Sequence, residues 1–120
     1  MKYFTELNSL RYKAMDGRIT HASMRKACLN LVSKFHSKNE FAIELNEYIT
    51  NYDEWNLSRE VIIPLFQEAI NLPGSQTVLV RLNWFPNQKS WTFASLIAQF
   101  EKVFGTDSES LDLFSKNKGE

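Results

Sequence analysis

The sequence predicts a mainly α fold: a compact single-domain bundle of five or six helices, with one short strand or hairpin near residues 76–84. Three observations carry this. Apolar residues recur at steps of three and four through most of the chain. Capping and breaking residues punctuate those runs. Strict alternation is confined to Val78, Val80, Leu82 and Trp84. The chain of 120 residues, 43% apolar and 13% aromatic, can bury one core without a staple or a metal. Residues 1–114 are expected to form the domain and 115–120 to fray as a C-terminal tail.

The first segment carries Phe4, Leu7, Leu10 and Met15 at helical spacing, and Asp16-Gly17 ends it with turn chemistry. Thr20 then reads as the cap of a second helix, with Ile19 placed to staple onto Met24. Met24, Ala27, Cys28, Leu31, Val32 and Phe35 give that helix one apolar face. A short Asp-Gly-Arg-Ile connection makes the pair a helical hairpin. The third segment is the most regular: Phe41, Leu45, Tyr48, Tyr52 and Trp55 predict a helix of about four turns. Asn56 or Ser58 can cap a fourth helix bearing Val61, Ile62, Leu65, Phe66 and Ala69. Pro64 leaves two options, a kink within that helix or a start there after an extended Arg59–Ile63 stretch.

The alternation over residues 76–84, with its β-branched side chains, favours a short strand, although Val78, Leu79, Leu82 and Phe85 also fit a short helix. Its partner would be the stretch before Pro64. After Pro86-Asn87, residues Trp91, Phe93, Leu96, Ile97, Phe100 and Phe104 predict a helix ending at Gly105. Thr106-Asp107-Ser108-Glu109 has the pattern of a capping box, ahead of a short helix with Leu111 and Phe114.

Composition removes most chemistries. Cys28 is the one cysteine, so no intrachain disulfide can form, as suits a reducing compartment. His21 and His36 lie seven and eight residues from Cys28 along one helix, roughly 10–12 Å of rise, which is too far for a catalytic dyad. Two His and one Cys cannot close a zinc site. Asp16-Gly17-Arg18-Ile19-Thr20 has the turn of a calcium loop, but Tyr12, Ala14 and Ser23 fall where oxygen ligands are required. The glycines form no phosphate cradle and no nucleophile elbow. No catalytic residue, metal or cofactor is expected. Glu6 interrupts the apolar stretch that a signal peptide needs, and no apolar run approaches the ~20 residues of a membrane span, so the reading is a cytoplasmic protein.

The charges are balanced in total, 14 basic against 14 acidic, but not along the chain. Residues 1–38 hold eight Lys/Arg against two acids, residues 39–72 hold seven acids against one Arg, and the remainder is even. On the third helix Glu40, Glu44, Glu47 and Glu54 each precede a stripe aromatic or leucine by one residue, which sets an acidic ridge beside the buried face, with Asp53 flanking it.

Two readings follow. In one, the basic second helix packs beside the acidic third and their charges compensate, with little effect per surface pair. In the other, the ridge docks a basic partner, with Tyr48, Tyr52 and Trp55 as aromatic anchors. The aromatic content exceeds what a core of this size requires and supports the second.

The sequence therefore points to a non-enzymatic protein-binding module. By elimination, it would be a small inhibitor or an immunity-like or antitoxin-like protein that covers a basic surface, such as that of a toxin or nuclease. The expected contacts are Glu40, Glu44, Glu47, Tyr48, Tyr52, Asp53, Glu54 and Trp55. The alternative is a small helix-turn-helix-like DNA-binding regulator using Arg25 and Lys26 of the basic helix pair. The scattered cations and the acidic helix that follows oppose it.

Overall fold

The computed structural model describes residues 2–51, 57–82, 85 and 88–104. Among these, five helices and a two-stranded ribbon follow in the order α1 (Phe4–Asp16), α2 (His21–Val32), α3 (Lys38–Asn51), α4 (Arg59–Ala69), β1 (Leu79–Arg81), β2 (Ser90–Thr92) and α5 (Phe93–Phe104). The mainly helical bundle with one short hairpin is the fold the sequence predicts. Gly105, the expected short helix with Leu111 and Phe114, and the C-terminal tail lie outside the described residues.

The helix ends follow the local chemistry. Gly17 takes φ 75°, the left-handed turn that stops α1. The Thr20 hydroxyl accepts the Ser23 N–H at 3.1 Å and caps α2. Ser37-Lys38-Asn39-Glu40 forms a capping box at α3: the Ser37 hydroxyl accepts the Glu40 N–H (3.1 Å), and the Glu40 carboxylate accepts the His36 N–H (2.7 Å). Ser58 occupies the cap position of α4, yet its carbonyl rather than its hydroxyl takes the first N–H groups, those of Val61 and Ile62. Asn56, the other candidate cap, lies outside the described residues.

Helix α4 is the axle of the bundle. Val61, Ile62, Ile63, Leu65, Phe66 and Ala69 are all fully buried, as expected of a helix that is apolar on every side. Pro64 sits inside the helix, which runs without interruption from Arg59. Its missing donor falls in the second turn, opposite the Glu60 carbonyl. Helix α2 packs antiparallel on α4, with Cys28 Sγ 3.8 Å from the Val61 carbonyl and Arg25 3.8 Å from Glu68. Aromatic rings then link the layers edge to face: Phe35 on Phe41 (5.5 Å), Phe41 on Phe66 (5.4 Å) and Phe66 on Phe93 (5.4 Å). These rings serve the core rather than a surface, contrary to the reading of a surplus. Met15 departs from its expected stripe and is exposed, because α1 turns only Leu7 and Leu10 fully inward.

The strand over residues 79–81 exists, but its partner is Ser90-Trp91-Thr92 and not the stretch before Pro64, which belongs to α4. Trp91 accordingly lies in β2 rather than in the last helix, buried opposite Val80. The three-and-four spacing begins only at Phe93, with Leu96, Ile97 and Phe100, and Trp91 two residues earlier is out of phase with it. Thr92 and Ser95 make the break: the Thr92 hydroxyl accepts the Ser95 N–H (3.1 Å) and the Ser95 hydroxyl accepts the Thr92 N–H (3.0 Å), a reciprocal cap that starts α5 as the strand ends.

Candidate docking surface on the third helix

Helix α3 is held from three sides, and those attachments decide which of its side chains remain available. At its start, Lys38 is 3% exposed, the one buried charged residue among those described. Its ammonium donates to the Leu72 carbonyl and to the Gly74 carbonyl (3.3 Å), its backbone N–H donates to Pro73 (2.8 Å), and the Phe93 ring lies 5.9 Å away. Three successive carbonyls just beyond the C-terminus of α4 thus face one residue, and their partial negative charge suits a cation.

Further along, Glu44 Oε1 accepts the N–H groups of Lys2 and Tyr3, both at 3.1 Å, at the positive end of the α1 dipole. One turn later the Tyr48 hydroxyl bonds Asn8 Oδ1 at 2.9 Å. On the opposite flank the Asn46 amide accepts the Arg81 N–H (2.7 Å) and donates to the Leu79 carbonyl (3.3 Å).

These contacts revise the predicted surface. Tyr48 is 1% exposed and belongs to the core, so it is no anchor: its position on the Phe41 and Leu45 stripe faces it inward. Glu40 and Glu44 are half-buried, and each spends an oxygen on backbone N–H groups. Glu47 is exposed. Tyr52, Asp53, Glu54 and Trp55 lie outside the described residues. Between Glu40, three residues before it, and Glu47, four after it, stands Ile43, 64% exposed. Residues three and four apart are neighbours on a helix surface, so an aliphatic side chain is set between two carboxylates. The sequence signal for this was available: Ile43 lies two residues from Phe41, on the far side of the helix from the buried stripe.

The acidic character of α3 survives its structural duties. Glu40 and Glu44 bond neutral N–H groups, and among the described residues no Lys or Arg comes within ion-pair distance of Glu40, Glu44 or Glu47. The basic helix α2 does not compensate it. Arg25 pairs with Glu68 of α4 and Lys34 with Glu6 of α1 (3.3 Å), because α2 lies against those two helices. The expected neighbouring of α2 and α3 is thereby corrected. The same pairing takes Arg25 from the cation set that a DNA-reading α2 would require.

Set beside known proteins, the chain matches no family model, no curated protein and no solved structure. Function must therefore be argued from the surface itself. Cys28, at the α2–α4 interface, has its thiol pushed up to about 12, first by burial and then by the nearby Glu68 charge, so it carries no thiolate near neutral pH. Among the described residues no group of three or more His, Cys, Asp or Glu is placed to hold a metal ion. None of the described helices is long and apolar enough to cross a membrane.

Proposed function

We propose that this protein is a non-enzymatic binding module that docks a basic partner protein on the outer face of α3. It would act in the manner of a small cytoplasmic inhibitor or an immunity-like or antitoxin-like protein that covers a cationic surface. The observation that carries the reading is Ile43, exposed between Glu40 and Glu47 on a helix whose carboxylates meet no described cation. An aliphatic knob inside a charged rim has the anatomy of a contact centre: the knob supplies desolvated area and the rim steers encounter and selects the sign of the partner. Leu79, 57% exposed on the strand that Asn46 ties to this helix, is a second exposed aliphatic side chain on the neighbouring element.

The test is a comparison of captured proteins for the unaltered chain, Ile43→Asp and Glu47→Lys. A cationic protein bound by the unaltered chain should be lost by at least about tenfold with Ile43→Asp. With Glu47→Lys its association should slow and lose its salt dependence. Equal binding by all three chains rejects α3 as the surface. Glu40 and Glu44 are unsuitable probes, since their replacement also disturbs the starts of α3 and α1.

A further inference from the structure

Helices α2 and α3 each expose one large aliphatic residue in settings of opposite charge, and α2 packs mainly against α4 and α1. On α2 the exposed side chain is Leu29 (48%), with exposed Lys26 three residues before it and exposed Ser33 four after it. On α3 it is Ile43 (64%), with Glu40 three before and Glu47 four after. The spacing is the same and the sign is opposite at the position three residues before, Lys26 against Glu40; four residues after, α3 carries Glu47 where α2 has the neutral Ser33. Lys26 enters no ion pair among the described residues, just as Glu47 does not. Arg18, three residues ahead of α2 and at 87% side-chain exposure, stands beside its partner Asp16 (3.5 Å), and Lys34, just beyond the far end, pairs with Glu6 and lies over the Tyr3 ring.

We propose that the second occupant of the α3 face is another copy of this chain, presented through α2. Leu29 of one copy would lie against Ile43 of the next, with Lys26 facing the Glu40–Glu47 rim. The contact joins two different patches and is therefore heterologous: every bound pair keeps one α2 face and one α3 face free, and assembly proceeds to a ring or an open chain instead of stopping at a symmetric pair. Zero net charge removes the overall repulsion that would oppose this, while the separated charges provide the attraction. The inference is independent of the basic partner, which would compete for the same α3 face.

The experiment needs only the purified full chain. Its weight-average mass should rise above the 14.0 kDa monomer with concentration at low salt, pass beyond the dimer, and fall back at high salt as the charges are screened. Lys26→Glu and Glu47→Lys should each weaken association by about tenfold or more. Mixing the two variants should restore it, because the unaltered α2 of one then meets the unaltered α3 of the other. Leu29→Asp, which leaves α3 intact, should abolish self-association. A monomer at every concentration, a salt-insensitive symmetric dimer, or no recovery on mixing overturns the proposal. Capture of a basic protein by Leu29→Asp separates this result from the fate of the binding reading.

Discussion

The side-chain amide of Asn46 occupies the place of a neighbouring strand beside Arg81. It accepts the Arg81 N–H at 2.7 Å and donates to the carbonyl two residues earlier at 3.3 Å, the pair of bonds a third strand would make. The outer edge of β2 is treated in the same way: Gln88 Nε2 donates to the Ser90 carbonyl (2.9 Å), and the Ser95 hydroxyl serves the Thr92 N–H and, at 3.1 Å, its carbonyl. A two-stranded ribbon would otherwise present two open edges, each a template for unwanted pairing. Side chains close both.

Asn46→Ala should consequently cost about 1–2 kcal/mol in urea unfolding, the loss from leaving two backbone groups to irregular solvation. The Arg81 amide should exchange faster with solvent, and aggregation should rise with protein concentration. Asn46→Asp keeps the acceptor and loses the donor, so Arg81 should stay protected while stability falls by about half as much. An unchanged Arg81 exchange rate in Asn46→Ala would show that the edge is held by something else.

Lys38 should prove the most sensitive charged residue. Lys38→Met retains the stem but leaves the Leu72 and Gly74 carbonyls without their donor, and a loss of about 2–3 kcal/mol in chemical denaturation is expected. Gly74 has φ 118° and its would-be Cβ meets Lys38 Cβ at 3.4 Å. Gly74→Ala should therefore destabilise by about 1–3 kcal/mol. Because both changes act on one clasp, the double variant should lose less than the sum of the two.

The carboxylates of α3 should separate by role when each is changed to Gln and followed by thermal melting. Glu44→Gln weakens the hold on Lys2 and Tyr3, and Glu40→Gln weakens the cap on His36, each by about 0.5–1.5 kcal/mol. Glu47→Gln, exposed and without a described partner, should shift stability by less than about 0.5 kcal/mol.

Cys28 gives a prediction in alkaline solution. Its thiol titrates at about 12 when folded against the ordinary value of 9.0, so between these values the folded chain holds a proton that the unfolded chain has lost. Stability from this group is complete below about pH 9 and declines above it, by about 1.4 kcal/mol per pH unit as an upper figure, until the folded thiol ionises. Cys28→Ala should flatten the difference in stability between pH 8 and pH 10 relative to the parent. A thiol reagent should label Cys28 only at the rate of unfolding. Rapid labelling of the folded protein would contradict its burial.

The sequence by itself determined the helices, the faces they bury and most of their ends. Leu7, Met24, Cys28, Phe41, Leu45, Phe66 and Phe100 are where the three-and-four spacing puts them, and Thr20 and Gly17 act where their chemistry says. These are properties of a dozen adjacent residues, and a helix expresses them wherever it is placed. The capping box at Ser37 and the outward position of Ile43 were equally legible. Only the tertiary structure decided the rest. It paired β1 with Ser90-Trp91-Thr92, set α2 against α4 instead of α3, and buried the ammonium of Lys38 among carbonyls 34 and 36 residues away. It turned Glu44 and Asn46 into clamps on backbone 42 and 35 residues away. The physical reason is that a polar side chain's role depends on which unsatisfied backbone group folding carries within about 3 Å of it. No local period records that distance.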